Sequence, residues 1–269
     1  MRLSGINLHP VKSTAIRPVA QAYVGAAGLV GDREWMVVDA VGDVVTAREL
    51  PRMFHVVADN AATGGPDGLR LSAPRLGLDP VEVTVPEEGL VEVRVHGNGP
   101  LPARSAGPEA DAWIRKALGL EGVRLVWCAD PSARTLKPSL ARPTDHAAFQ
   151  DGSPVSLAST ASMARLNGWM EEERPISRFR ANLVVEGIEE AFAEDGWQRV
   201  RVGRAVLRVA GPIDRCVMTT IDPETLTKGK DPIRTLAVHR RWGGKTWFAV
   251  HLMVEEQGPV AVGDELTVE

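Results

Sequence analysis

One stretch of thirteen residues combines a strand-like run with a reactive side chain, and it reads Gly211-Pro212-Ile213-Asp214-Arg215-Cys216-Val217-Met218-Thr219-Thr220-Ile221-Asp222-Pro223. It follows Val200 to Val209, whose alternation is typical of a β-strand. Cys216 stands beside Arg215, and a neighbouring guanidinium favours the thiolate, which is the form that attacks electrophiles or binds soft metals. Cys216 is therefore the first candidate for chemistry.

Cys216 also has a simpler interpretation, because free cysteine is usually buried and behaves as a small hydrophobic residue. The chain has only one other cysteine, Cys128, which lies 88 positions earlier, and it has no Cys-x-x-Cys motif. We therefore expect neither a disulfide framework nor an iron–sulfur cluster bound by cysteines of this chain.

The length and composition indicate a globular protein with two parts. The chain has 269 residues, of which 44% are hydrophobic and 25% are charged, enough for two modest domains or one large domain. A glycine-rich turn ends at Gly122 after a helical pattern, so we predict two domains, residues 1–122 and 123–269.

The overall charge limits the possible partners. The net charge is −4 and the pI is about 5.9, whereas surfaces that bind nucleic acids or anionic membranes are normally basic. The first residues lack the apolar core of a signal peptide, and no stretch approaches the ~20 apolar residues of a membrane span. We predict a cytoplasmic protein with no nucleic-acid or membrane partner, in which any anion is bound locally.

Short runs rich in β-branched and aromatic residues predict a β-rich fold of the α+β class. The predicted strands are residues 34–39, 81–85, 91–95, 123–127, 182–185, 200–209 and 247–254. Helical spacing is clearest in residues 108–118 and 159–173.

Two segments near the start place charged side chains next to strands. Lys12 and Ser13 follow the first strand, where a lysine and a hydroxyl can meet a phosphate or a ring oxygen. Arg33 precedes the strand that begins at Glu34, and its guanidinium suits an oxyanion. The alternatives are a solvated lysine and an ion pair between Asp32 and Arg33 at a turn.

Two later segments carry hydroxyl groups and arginines. Ser159, Thr160 and Ser162 open a predicted helix, where they can cap it or hold a phosphate at the positive end of its dipole. Arg178 and Arg180 lie on one face if their segment is extended, and their mutual repulsion is relieved only by an anion or a carboxylate between them.

Taken together and in this order, these segments resemble the MOSC proteins, which bind the molybdenum cofactor, and the amidoxime-reducing branch in which another domain precedes the MOSC domain. The motifs that carry the resemblance are Pro10-Val11-Lys12-Ser13, Gly31-Asp32-Arg33, Thr46-Ala47-Arg48-Glu49-Leu50-Pro51, Leu157-Ala158-Ser159-Thr160-Ala161-Ser162 with Leu166-Asn167, Arg178-Phe179-Arg180-Ala181-Asn182, Ala191-Phe192 to Trp197, and Arg215 to Pro223. The resemblance implies a MOSC β-barrel domain preceded by a smaller, β-barrel-like α/β domain.

The resemblance also assigns roles to residues. The family's cysteine, which supplies a thiolate ligand to the molybdenum of a molybdopterin, falls on Cys216. The positions that would bind the phosphate and the ring system of the cofactor are Lys12, Ser13, Arg33, Ser159, Thr160, Ser162, Arg180, Asn182 and Arg215. Asp214 is an open case, since it can act as a general acid or pair with Arg215, and we favour the pair.

This chain departs from the family pattern in several places. Ile213 stands where many relatives have a second cysteine, and His9 stands where a tyrosine is common. The sequence carries no ferredoxin-like domain after the second domain, so we expect electrons to come from a separate protein of the ferredoxin, flavoprotein or cytochrome type. The resemblance implies an oxidoreductase that reduces small N-hydroxylated or N-oxide-type substrates; the alternative is a carrier of the cofactor or of sulfur.

Overall fold

A computed structural model describes residues 1–269 as nineteen strands and three α-helices. The strands are β1 (Arg2–Leu8), β2 (Arg17–Val19), β3 (Gln21–Gly25), β4 (Gly28–Leu29), β5 (Trp35–Val38), β6 (Val57–Asp59), β7 (Leu69–Ala73), β8 (Leu78–Val83), β9 (Leu90–Val95), β10 (Asn98–Ser105), β11 (Arg124–Cys128), β12 (Val155–Ser159), β13 (Leu183–Glu186), β14 (Arg199–Val202), β15 (Ala205–Asp214), β16 (Arg241–Trp242), β17 (Lys245–Glu256), β18 (Gly258–Ala261) and β19 (Leu266–Val268). The helices are α1 (Pro108–Leu118), α2 (Thr160–Asn167) and α3 (Ile233–His239). None of these helices is long and apolar enough to cross a bilayer.

The largest sheet closes on itself as a barrel. Its strand order is β19-β14-β15-β17-β12-β13-β1-β2, and β16 pairs with β17 at one end. A bridge joins Arg2 to Glu265, and the Leu3 amide donates to the Asp264 carbonyl at 2.9 Å, which brings β1 next to the segment that leads into β19. Alternate apolar side chains point inward, as with Val200 and Val202 of β14, and bury the core.

A second unit packs two smaller sheets against α1. One sheet has the order β5-β11-β10-β9 and the other has the order β6-β7-β8. Helix α1 begins at Pro108, where the missing N–H costs nothing, and ends before Gly119, whose φ of 64° suits a residue without a Cβ. Its buried Ile114 joins the core between the two sheets.

The predicted α+β, β-rich class is confirmed. The division near Gly122 stays a prediction, and strand pairings cross it in both directions. Strand β11 begins after Gly122 but pairs with β5 and β10 of the second unit. Strand β1 pairs with β13, and β3 pairs with β18, so the first strands of the chain belong with the barrel.

Two predicted elements are shorter in the structure. The run of residues 200–209 divides into the hairpin β14–β15, because the chain turns at Gly203 with a φ of 55°. The helix predicted to reach Glu173 stops at Asn167, whose side chain accepts from the Arg174 amide at 2.9 Å and donates to the Arg174 carbonyl at 3.1 Å. The chain therefore turns back instead of extending the helix.

Candidate functional site

Three loops are joined to one another by backbone hydrogen bonds. The Arg33 amide donates to the His9 carbonyl at 2.8 Å, and the Lys12 amide donates to the Trp35 carbonyl at 2.8 Å. The Phe149 amide donates to the Arg33 carbonyl at 3.0 Å. These bonds bring the segment after β1, the segment before β5 and the segment before β12 to one place.

Lys12 is buried at this junction. Its Nζ donates to the Phe149 carbonyl at 2.7 Å and to the Asp151 carboxylate. Burial lowers the pKa of Lys12 to about 8, although the Asp151 carboxylate opposes this shift. Arg134 Nη2 donates to the Asp151 carbonyl at 2.7 Å, so two cations hold the loop before β12.

Arg33 and Asn182 are bonded to each other and to their neighbours. Arg33 Nη1 donates to Asp32 Oδ2 at 2.6 Å and to Asn182 Oδ1 at 3.3 Å, so the expected ion pair at the turn is present. Asn182 Oδ1 also accepts from the Ser156 amide at 3.2 Å, and its Nδ2 donates to the Asn7 carbonyl at 3.1 Å. Asn182 thus ties β1, β12 and β13 together.

Arg180 and Arg215 carry partly buried positive charges without a carboxylate partner. Arg180 Nη2 donates to the Thr14 carbonyl at 2.7 Å, and Arg215 Nη2 donates to the Phe179 carbonyl at 2.8 Å. Burial lowers the pKa of Arg180 to about 9, and the charge of Arg33 adds to this shift. Burial lowers the pKa of Arg215 to about 10, and its Nε has no partner. Such unpaired buried cations are stabilised by a bound anion.

Cys216 lies beside Arg215 and faces a second arginine, Arg48. It follows the end of β15, where the Arg215 amide donates to the Thr246 carbonyl at 2.8 Å, and it is half-buried at the start of a single 3₁₀ turn. Burial opposes the charge of Arg48, but a Cys216 thiolate and the Asp151 carboxylate outweigh it and raise the pKa of Arg48. The side chain of Cys216 therefore interacts with two guanidinium groups.

Asp151 connects this arginine pair to the lysine, and its role could not be read from the sequence. Its Oδ2 accepts from Arg48 Nη2 at 3.3 Å, and its Oδ1 lies 3.0 Å from His96 Nε2. Desolvation opposes its ionisation, but Lys12 and His96 outweigh this effect and hold the pKa of Asp151 well below its usual value.

Gly152 and Ser153, the next two residues of the same loop, pack against His251. Ser153 Oγ lies 2.8 Å from His251 Nδ1. A Cβ on Gly152 would lie 2.7 Å from His251 Cε1, so a larger residue would displace the imidazole.

We use the name cation cluster for six basic side chains that interact electrostatically with one another or with Asp151. They are Lys12, Arg33, Arg48, Arg134, Arg180 and Arg215. Asp32 and Asp151 form ion pairs with them, and Glu49 and Asp214 act on Arg48 and Arg215 without a direct ion pair, so six cations face four carboxylates. In an otherwise acidic protein, this excess of positive charge indicates a local site for an anion.

The structure does not bring Ser159, Thr160 and Ser162 to the cation cluster, which corrects the prediction for these three residues. They lie at the end of β12 that is opposite Ser156, the residue bonded to Asn182. Ser159 caps α2 by accepting from the Ser162 amide at 3.0 Å.

The hydroxyl groups of Ser159 and Ser162 both form hydrogen bonds with the buried carboxylate of Glu194. Ser159 Oγ lies 3.0 Å from Glu194 Oε1, and Ser162 Oγ donates to the same oxygen at 2.7 Å. Burial raises the pKa of Glu194, while these hydroxyl groups oppose the shift. Thr160 is exposed, so none of the three is directed at the cluster.

Two further expectations are wrong. Residues Ile176–Phe179 form a 3₁₀ turn instead of an extended segment, so Arg178 does not share a face with Arg180 and pairs with Asp222 Oδ2 at 2.6 Å. Asp214 forms no ion pair with Arg215; its Oδ2 lies 4.0 Å from Lys245 Nζ.

The predicted residues that the structure does bring together are Lys12, Ser13, Arg33, Arg180, Asn182, Arg215 and Cys216. Ser13 is buried beside Lys12 with a φ of 70°. Arg48, Asp151 and His96 were missed. Arg48 lies within a motif that the resemblance quotes, and only the folded chain shows that it faces Cys216.

Replacing Ser162 with Ala is expected to reduce the free energy of unfolding by about 1–3 kcal/mol, because it removes a hydrogen bond from the buried Glu194 carboxylate. Chemical denaturation measures this loss. Thr160→Ala is the matched control and should change stability little. A loss of bound anion without a loss of stability in the Ser162 variant would contradict the internal role of this hydroxyl.

The stability of the protein is expected to fall as the pH drops from 7 to 4. Burial lowers the pKa of His251 to about 4, with Arg215 adding to the shift, whereas an unfolded histidine titrates near 6.5. Between these values the unfolded state binds the extra proton, so up to about 3 kcal/mol of stability is lost by pH 4. Chemical denaturation at several pH values gives the free energy of unfolding as a function of pH. This free energy should depend less on pH in His251→Gln than in the wild type, and an equal pH dependence would contradict this assignment.

Comparison with known proteins agrees with this architecture. The family model "MOSC N-terminal beta barrel domain" matches residues 1–121, and the family model "MOSC domain" matches residues 144–267. The chain is 32% identical to mitochondrial amidoxime-reducing component 1 of Homo sapiens, over 96% of this chain and 80% of that protein.

Two further relatives give similar values. Identity is 33% to mitochondrial amidoxime-reducing component 1 of Xenopus laevis, over 97% of this chain and 80% of that protein. It is 32% to mitochondrial amidoxime reducing component 2 of Bos taurus, over 97% of this chain and 81% of that protein. The chain therefore belongs to the MOSC-domain family, in the two-domain form that it shares with the amidoxime-reducing components.

Proposed function

We propose that this protein is a molybdenum-cofactor-binding oxidoreductase that reduces N-hydroxylated or N-oxide-type substrates with electrons from a separate protein. One observation carries the proposal: the Cys216 side chain is close enough to interact with the guanidinium groups of both Arg48 and Arg215, inside a cluster whose cations outnumber its carboxylates. A thiolate in this setting is a soft ligand beside an anion site.

The residues of the cluster fit a pterin cofactor that ends in a phosphate. The Nε atoms of Arg48 and Arg215 are buried and lack partners, and Arg180 has no carboxylate. Guanidinium groups with free donors suit phosphate and polar ring oxygens. Arg180 and Arg215, with the buried Lys12, would hold the anionic part of the cofactor, and Cys216 would supply one thiolate to the metal.

The bound cofactor would supply the two-electron redox chemistry that breaks an N–O bond. The chain's own residues set the conditions. Arg48 and Arg215 place positive charge close to the Cys216 sulfur, where a thiolate bound to the metal would carry negative charge. Asp151 orients Arg48 by accepting a hydrogen bond from its Nη2, and Lys12 fixes the position of Asp151 by donating to its other carboxylate oxygen.

The relatives support the proposed substrate class, since their names describe amidoxime reduction. An amidoxime carries an N-hydroxyl group, which agrees with the class proposed for this chain. The cytoplasmic location stays a prediction, and the relatives are named as mitochondrial proteins.

The proposal is tested by purifying the protein from a molybdenum-replete host and measuring molybdenum and pterin per chain. Reduced methyl viologen is then supplied as electron donor with a simple aryl amidoxime. We expect close to one cofactor per chain and formation of the amidine. Cofactor binding without turnover would favour the carrier instead, and the absence of both molybdenum and pterin would contradict the proposal.

The purified chain is also expected to show no turnover when NADH is the sole reductant. It contains no Gly-x-Gly-x-x-Gly loop of the dinucleotide-binding kind, and only two cysteines. The measurement is amidine formation with NADH alone, with reduced methyl viologen as the positive control. Amidine formation with NADH alone would show that no separate electron-transfer protein is required.

A further inference from the structure

An exposed hairpin lies directly beside the candidate metal ligand. Strands β16 and β17 are joined by Gly243 and Gly244, and the first residues of β17 run next to the end of β15. Trp247 pairs with Asp214, and the Thr246 carbonyl accepts from the Arg215 amide at 2.8 Å. Because paired Cα atoms are about 5 Å apart and two residues span at most about 7 Å, the hairpin begins within about 12 Å of Cys216.

Exposed side chains of this hairpin and of α3 include large apolar and basic groups, which we call the hairpin surface. It consists of Val238, Arg241, Trp242 and Lys245. Val238 is 74% exposed and Trp242 is 46% exposed.

The charge of this region is opposite to that of the rest of the chain. Residues 214–247 contain seven Lys or Arg residues and four Asp or Glu residues, a net charge of +3 in a protein whose total is −4. Lys228, Lys230 and Arg241 are exposed and form no ion pair within the chain. The segment that contains Cys216 and the hairpin is therefore positive, while the remainder of the chain carries −7.

The tryptophan is held in place before any partner arrives. Trp242 stacks on Trp247 with ring centroids 5.7 Å apart, and the Trp247 Nε1 donates to the Trp242 carbonyl at 3.0 Å. The guanidinium of Arg240 lies 4.8 Å from the Trp242 ring. A rigid, exposed tryptophan surrounded by basic residues has the composition of a protein-binding hot spot.

We propose that the hairpin surface is the docking site for a small electron-transfer protein that has an acidic face around its redox centre. The inference rests on the proposed function, because only a reductase of this kind needs an external electron donor. Positive charge beside Cys216 attracts an acidic partner and orients its redox centre towards the cofactor. Trp242 and Val238 provide the apolar contact at the centre of a small, transient interface.

The test compares two electron donors for the same holoenzyme. Reduced methyl viologen needs no docking surface, whereas three chemically reduced acidic carriers do: a plant-type ferredoxin, a flavodoxin and a haem domain of the cytochrome b5 type. We expect at least one carrier to support amidoxime reduction, with a rate that falls as the salt concentration rises. The double variant Arg241→Glu/Lys245→Glu should lower kcat/KM for that carrier at least tenfold, and Trp242→Ala should lower it several-fold.

The controls separate this inference from the proposed function. The variants should keep their viologen-driven activity, and Arg70→Glu/Lys116→Glu, two exposed charges of the second unit, should leave the carrier reaction unchanged. Carbodiimide cross-linking followed by mass spectrometry should join Lys245 to carboxylates of the carrier. If the wild-type holoenzyme shows no activity with reduced methyl viologen, the proposed function itself is contradicted.

Several results would overturn the docking site while leaving the proposed function intact. These are equal carrier rates for the wild type and the Arg241/Lys245 variant, failure of all three carriers, a salt-independent rate, or a dimer of this chain that the same variant dissociates. A different outcome would assign the surface to a membrane instead. In that case the protein binds vesicles of phosphatidylserine and phosphatidylcholine, and Trp242→Ala abolishes this binding but leaves the carrier reaction unchanged.

Discussion

Cys216→Ala is expected to lower amidoxime reduction to background while the protein stays folded. The substitution removes the sulfur that would bind the metal beside Arg48 and Arg215, but it deletes only one atom from a half-buried position. The measurement is turnover with reduced methyl viologen, together with the free energy of unfolding from chemical denaturation. Activity of the variant equal to that of the wild type would exclude Cys216 as the metal ligand.

Cys128→Ala is the matched control. Cys128 is buried in β11, where burial raises the pKa of its thiol to about 12, so it is a neutral packing group. Its replacement should reduce stability by about 1 kcal/mol and should leave turnover unchanged. Loss of turnover in this variant at full cofactor content would show that the two cysteines had been assigned the wrong roles.

Arg180→Ala is expected to weaken retention of the pterin about tenfold or more. Arg180 has no carboxylate partner and its burial is unfavourable without an anion, so a charge-assisted contact to the cofactor of roughly 1.5–3 kcal/mol would be lost. The measurement is pterin per chain after extensive dialysis. Unchanged pterin content in the variant would place the cofactor away from the cation cluster.

Arg178→Ala provides a control only two residues away. Arg178 is paired with Asp222 at 2.6 Å, so its charge is already compensated within the chain. Its replacement should cost some stability and should leave pterin content unchanged. Equal losses of pterin in the Arg178 and Arg180 variants would mean that the effect arises from the folding of this segment and not from a contact with the cofactor.

The sequence predicted the parts of the fold that depend on local pattern. Runs of apolar and β-branched residues predicted β13, β17 and the β14–β15 region of the barrel, and the boundaries of α1 follow from Pro108 at its start and Gly119 at its end. The exchange of strands between the two units could not be predicted. The pairing of β1 with β13 joins residues more than 170 positions apart, and no local signal in either strand specifies its partner.

The candidate site was predicted best where a residue carries one dominant chemical property. Cys216 and Arg180 were identified from their own side chains and from the resemblance. Ser159 and Ser162 were misassigned because a hydroxyl at the start of a helix looks the same whether it caps the helix or meets a ligand, and the deciding residue, Glu194, is distant in the sequence. Asp151 was missed because its partners come from three separate loops.

The central claim is that Cys216 supplies a thiolate to the molybdenum of a cofactor held by the cation cluster. Its most direct test is X-ray absorption at the molybdenum edge on the purified holoprotein and on Cys216→Ser, with pterin content measured in both. We predict one sulfur ligand fewer at the metal in the variant. An equal number of sulfur ligands in the two proteins would contradict the claim.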